Sequence, residues 1–117
     1  MRHRVDHRKL GRPTDQRLAI LRSLVKSLLL HGKVETTVDR AKEARRVAEK
    51  VISRGREDSV HARRQALRLL NDPGLVKHLF EEVAPQYKDR PGGYTQIVRT
   101  RVRRGDGAQL AVLRLVE

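Results

Sequence analysis

The segment that begins at Tyr94 switches to a repeat of two residues, and this switch most limits the folds open to the chain. Uncharged residues then alternate with arginines, as they do along a half-exposed β-strand. The alternating positions are Val98, Thr100 and Val102 on one side and Arg99, Arg101 and Arg103 on the other. Asp106-Gly107 predicts a hairpin turn, and residues 110–116 predict the returning strand. The chain therefore ends in a predicted two-strand hairpin.

Before the hairpin, apolar residues recur at helical spacing in four segments, which predicts helices over residues 14–31, 39–54, 60–70 and 73–84. Capping residues are predicted at Thr14, Asp39, Asp58 or Ser59, and Asp72, and helix ends at Gly32, Gly55 and Pro85. The predicted buried residues are Leu18, Ile20, Leu21, Leu24, Val25, Leu28, Ala41, Ala44, Val47, Ala48, Val51, Ile52, Val60, Ala62, Ala66, Leu67, Leu70, Leu75, Val76, Leu79, Phe80 and Val83.

Between the first two helices, Lys33–Thr37 is short, alternating and rich in β-prone residues, which predicts an edge strand able to pair with the hairpin. The predicted fold is a two-layer α/β (α+β) domain in the order helix-strand-helix-helix-helix-strand-strand. We expect a three-stranded mixed sheet with the helices on one face. Residues 14–117 are predicted to form this single domain, preceded by an extended basic arm over residues 1–13.

Charge indicates a polyanionic partner. The 27 lysines and arginines outnumber 14 acidic residues, for a formal charge of +13. The arm has Val5 and Leu10 as its sizeable apolar residues, too few for a core, so we expect it to become ordered on its partner. A disordered, solvated tail is the alternative. Three basic elements are candidate nucleic-acid contacts: the arm (Arg2, His3, Arg4, His7, Arg8, Lys9, Arg12), one side of the first helix (Arg17, Arg22, Lys26) and the strand (Arg99, Arg101, Arg103).

The same sequence argues against catalysis and cofactors. It contains no cysteine, and its five histidines show no zinc-binding spacing. Gly92-Gly93 lacks the Lys-Ser/Thr of a phosphate-binding loop, and no serine sits in a nucleophile elbow. We expect no metal, no small-molecule substrate and no enzyme activity. No apolar run is long enough for a membrane span, so we expect a cytoplasmic protein.

Several segments, in their order and spacing, resemble the bacterial large-subunit ribosomal protein family numbered seventeen. These are Met1-Arg2-His3-Arg4, Arg12, Arg17, residues 28–31, 34–37, 41–46 and 90–97, and Gly105-Asp106. The sequence departs from the family pattern at Asp39, where proline is common, and at Gln96, where arginine is common.

This resemblance implies a structural constituent of the large ribosomal subunit that binds large-subunit rRNA and supports subunit assembly and translation. It also implies neighbouring ribosomal proteins near the peptide exit side, rather than an independent homo-oligomer. The rival interpretation is a nucleoid-type or regulatory DNA-binding protein. Such a protein would concentrate its basic residues on a recognition helix, whereas here they are spread over arm, helix and strand.

Overall fold

A computed structural model describes residues 14–116 of the chain as four helices and three strands. In chain order these are α1 (Thr14–His31), β1 (Lys33–Thr37), α2 (Val38–Gly55), α3 (Val60–Leu70), α4 (Pro73–His78), β2 (Thr95–Val102) and β3 (Gln109–Leu115). Helix α4 continues into a π-helical turn (Leu79–Val83) and a 3-10 turn (Ala84–Tyr87). The α+β class is confirmed, and the arm predicted for residues 1–13 lies outside the described residues.

The sheet has the strand order β1-β3-β2, and both pairings are antiparallel. The predicted pairing of an edge strand β1 with the hairpin is confirmed. The prediction of a mixed sheet was wrong. Strands β1 and β2 do run in the same direction, but β3 lies between them and reverses the chain direction relative to both. A parallel pair would have required β1 to lie beside β2.

Helices α1 and α2 cover the face of the sheet on which Val34, Ile97 and Leu113 lie side by side. Most of the predicted buried residues are confirmed, but Leu18, Val60 and Leu67 are exposed by 50%, 66% and 38%. Leu18 lies in the first turns of α1, and Val60 is the first residue of α3. Helical spacing predicts the direction of an apolar face but not how far the neighbouring helices cover it.

The helix ends follow the sequence in part. Gly32 has φ +81°, and Asp72 accepts from the N–H of Leu75, as predicted. Of the two caps considered for α3, Asp58 and Ser59, it is Ser59 that accepts from the N–H of Ala62. Asp39 was wrongly predicted to cap α2, because that helix already begins at Val38. The end of α2 at Gly55 is confirmed, and an added Cβ there would stand 2.9 Å from Ala84 Cβ. The stop predicted at Pro85 was misplaced. Pro85 lies inside the 3-10 turn, which continues to Tyr87.

One carboxylate of α2 fixes the beginning of β2. Glu49 accepts hydrogen bonds from the backbone N–H of Tyr94 at 3.1 Å and of Thr95 at 3.3 Å, and from Thr95 Oγ1 at 3.0 Å. The side chain of Tyr94 is fully buried and packs edge to face on Tyr87. This end of β2 is therefore joined to the core by both polar and aromatic contacts.

Candidate nucleic-acid interface

The arginine-bearing strand β2 is interrupted by a bulge. Arg99 pairs with Ala111 and Val102 pairs with Gln109, so three steps along β2 match two along β3. The extra residue breaks the alternation of side chains. Thr100 Oγ1 and Arg101 Nη2 both donate to the Glu35 carboxylate, at 3.1 and 3.3 Å. The predicted continuous row of three arginines on one side was therefore wrong, because Arg101 is turned toward Glu35 together with Thr100.

The other two arginines, Arg99 on β2 and Arg103 immediately after it, line a recess at the hairpin end of the sheet. We call it the Arg99 recess. Its cationic lining consists of Arg40 and Lys42 from the first turns of α2 and Arg99 and Arg103 from the hairpin. The recess has a volume of about 720 Å³ and also contains Asp39 and Asp106. Helix α2 and strand β2 thus bring together cations that are far apart in the sequence.

Carboxylates compensate these cations unequally. Arg103 donates to both oxygens of Asp106, at 3.0 and 2.6 Å. This hydrogen-bonded pair holds the pKa of Asp106 well below its ordinary value and raises the pKa of Arg103. Arg40, Lys42 and Arg99 form no hydrogen bond or ion pair with any side chain of residues 14–116. Within the described part of the chain, positive charge therefore remains uncompensated in the recess.

Two of the three cations predicted on α1 are engaged inside the protein. Arg22 Nε donates to the carbonyl of Leu69 at 3.0 Å, and Lys26 Nζ lies 3.9 Å from Asp72 Oδ2. Both side chains are half-buried and connect α1 to the chain around the end of α3, while Arg17 is also half-buried. The predicted contacts Arg2, His3, Arg4, His7, Arg8, Lys9 and Arg12 lie outside the described residues.

A second group of basic residues was not predicted as a site. Lys33, Arg114 and Gln96 are register partners across the three strands, with Arg114 in the middle. They line a recess of about 710 Å³ together with His31 and His78, and we call this the Arg114 recess. Lys33 and Arg114 are 81 positions apart, and only the antiparallel pairing of β1 with β3 joins them. Arg40 and Lys42 were likewise missed, because α2 reads as an ordinary helix with a charged outer face.

Two further features were searched for among the described residues. Residues 14–116 contain no group of histidine and acidic side chains placed to hold a metal ion. None of the helices in the same range is both long and apolar enough to cross a membrane.

The sequence matches the model of the family described as Ribosomal protein L17 over residues 20–116. The chain belongs to the ribosomal protein L17 family. Among its relatives, the large ribosomal subunit protein bL17 of Clostridium beijerinckii is 57% identical over 110 residues, covering 94% of this chain and 97% of the relative. The bL17 proteins of Clostridium acetobutylicum and Clostridium tetani are 57% and 56% identical, covering 94% of this chain and 96% and 97% of the relatives. The resemblance seen in the sequence is thereby confirmed.

Proposed function

We propose that this protein is a structural constituent of the large ribosomal subunit, which binds large-subunit rRNA and supports subunit assembly and translation in the cytoplasm. Relatives that match along 97% of their length are named large ribosomal subunit proteins. A structural rather than catalytic role fits this family. Membership of the family also favours rRNA over the rival DNA partner.

The observation that carries RNA binding is the uncompensated charge of the Arg99 recess. Arginine and lysine side chains without acidic partners attract phosphate, and the planar guanidinium can bind it through two hydrogen bonds. The Phe and Tyr side chains of the sequence offer no stacking surface to match, because Phe80, Tyr87 and Tyr94 are all buried. Single-stranded bases are usually held by exposed aromatic rings. Recognition through phosphate, sugar and shape follows from this combination.

The proposed contacts are expected to contribute unequally to the affinity for RNA. Arg99 with Arg40 and Lys42 forms the main contact of the described domain, because no described side chain neutralises these cations. Arg101 and Arg103 contribute less, since each already binds a carboxylate. The first-helix residues Arg17, Arg22 and Lys26 form a weaker contact, and the arm residues Arg2, His3, Arg4, His7, Arg8, Lys9 and Arg12 a separate one. We also propose that neighbouring large-subunit proteins near the peptide exit side contact this protein. It would not form an independent homo-oligomer.

Sedimentation of a lysate tests the ribosomal role. The epitope-tagged protein should travel with the large-subunit peak and stay there after a moderate salt wash. Recovery only in the slowly sedimenting soluble fraction would contradict the proposal. Competition between a large-subunit rRNA transcript and duplex DNA of equal length tests the alternative of a DNA-binding protein. Preferential binding of the duplex would support that alternative.

Neutralising the Arg99 recess tests the RNA contact. The double variant Arg40→Gln/Arg99→Gln should bind the rRNA transcript about tenfold or more weakly at low salt, with a smaller dependence of log affinity on log salt. Each lost phosphate contact removes about 0.7 to 0.9 from that slope. The control is Arg64→Gln/Arg68→Gln, which removes the same charge from the exposed side of α3. Equal losses in the two double variants would contradict a localised contact.

A further inference from the structure

The Arg114 recess contains two like charges placed side by side. Lys33 on β1 and Arg114 on β3 are direct register partners and therefore project from the same face of the sheet. Like charges directly opposite each other destabilise an antiparallel pair. Both side chains are exposed, and neither forms an ion pair with a carboxylate of residues 14–116. An anion placed between them would convert this repulsion into attraction.

Arg114 is also held in a fixed position without losing its charge. Its Nε and Nη2 both donate to Gln96 Oε1, at 2.9 and 2.7 Å. The amide is neutral, so the pair keeps the full positive charge of the guanidinium. Of the five N–H donors of an arginine, two are directed at Gln96, which leaves three for a ligand. A side chain oriented in advance loses less conformational entropy when it binds.

The surroundings of this pair are suited to a polar ligand. Among residues 14–116, Glu82 is the one carboxylate that lines the recess, and it lies 3.7 Å from His78 Nδ1 rather than on Lys33 or Arg114. Gln86 donates its Nε2 to the carbonyl of Glu82, which leaves its own side-chain oxygen to accept. With a volume of about 710 Å³, the recess is as large as the Arg99 recess.

We propose that the Arg114 recess is a second RNA-binding site, in which Lys33 and Arg114 hold one backbone phosphate and Gln96 acts as the positioning residue of Arg114. The inference rests on the proposed function for the identity of its ligand, rRNA. Arg114 and Ala111, the partner of Arg99, are three residues apart on β3. Three steps along a strand cover about 10 Å and reverse the face of the sheet. The linings of the two recesses share no residue, so the two sites would hold separate stretches of RNA backbone.

Three variants of the full-length protein test the site by titration against the large-subunit rRNA transcript over a range of salt. Arg114→Gln should weaken binding about tenfold, as expected for a charged hydrogen bond. Gln96→Ala leaves the net charge unchanged and should still weaken binding about threefold, because the guanidinium is no longer oriented. Adding Gln96→Ala to Arg114→Gln should cause no further loss, since Gln96 acts through Arg114. Arg68→Gln is the charge-matched control.

Several outcomes would overturn the inference. One is that Arg114→Gln and Arg68→Gln lose the same affinity, and another is that Gln96→Ala binds like the wild type. Normal RNA affinity combined with failure to enter large subunits would mean that the recess contacts a protein instead. Arg114→Lys keeps the charge and should recover most of the salt dependence, which separates loss of the ligand contact from loss of folding. A wild-type protein that does not bind rRNA would count against the proposed function, not against this recess in particular.

Discussion

The two cationic recesses hold their arginines in different ways. At the hairpin end, Arg103 and Arg101 bind carboxylates, Asp106 and Glu35, whereas their neighbour Arg99 forms no ion pair with any side chain of residues 14–116. At the other end, Arg114 binds the neutral amide of Gln96. A carboxylate orients a guanidinium and also cancels much of its field, whereas an amide orients it and leaves the charge for a ligand. Exposure and charge alone would rank these arginines as equal.

Strand β2 contributes Gln96 to one recess and Arg99 to the other, and Glu49 holds the beginning of this strand in place. Glu49→Ala removes three hydrogen bonds to Tyr94 and Thr95 and should lower the free energy of unfolding by about 3 kcal/mol. Amide exchange should increase first near Gln96, beside the lost contacts, and less in the hairpin. Glu57→Ala, an exposed residue after α2, is the control and should change stability by less than about 0.5 kcal/mol. Equal effects of the two substitutions would refute this role.

Exchanging the two kinds of partner sharpens the comparison directly. Gln96→Glu gives Arg114 a carboxylate partner and should weaken binding to the rRNA transcript about tenfold, because the charge is then neutralised. Asp106→Asn makes the opposite change and should strengthen binding about threefold by releasing the charge of Arg103. Gln65→Glu places the same new charge beside Arg54, away from both recesses, and shows the general effect of net charge. If the affinity changes depended only on net charge, the carboxylate and amide partners of these arginines would not differ in their effect on RNA binding.

The smallest expected effect concerns pH. Hydrogen bonds from Arg103 and from the backbone of Ala108 hold the pKa of folded Asp106 below its ordinary value of about 3.9. Because the pKa of Asp106 is lower in the folded protein, the ion pair stabilises the hairpin fully at pH values above the pKa of Asp106 in the unfolded chain. This stabilisation is lost as the pH falls through the pKa of Asp106 in the folded protein. Amide protection of Ala108 should therefore stay constant from about pH 7 to pH 4 and decline only below that range. The variant Asp106→Asn should show reduced protection of the Ala108 amide already at neutral pH. Protection equal to that of the wild type would contradict the proposed role of the Asp106 carboxylate.

Sequence patterns predicted what depends on neighbouring residues and failed where distant segments meet. The cap at Asp72 and the turn at Gly107 depend on interactions within a few residues and were predicted correctly, and the cap of α3 was narrowed to Asp58 or Ser59, of which Ser59 is the cap. The bulge after Arg99 depends on how β2 aligns with β3, so the alternation of arginines alone implied a continuous row. Lys33 and Arg114 become neighbours only through pairing of the outermost strands in the sequence, and no local signal marks them.

The position of β3 in the middle of the sheet has a consequence for how the protein is made. β3 follows every other described element in the chain, yet both β1 and β2 pair only with it among the described strands. Because synthesis proceeds from the amino terminus, the helices emerge and can pack while β1 and β2 still lack a hydrogen-bonding partner. Insertion of β3 then completes the sheet, places Arg114 between Lys33 and Gln96 and fixes the register of Arg99 in one event. The RNA affinity proposed for these two sites would thus be a late property of the nascent chain, acquired only when β3 has been added.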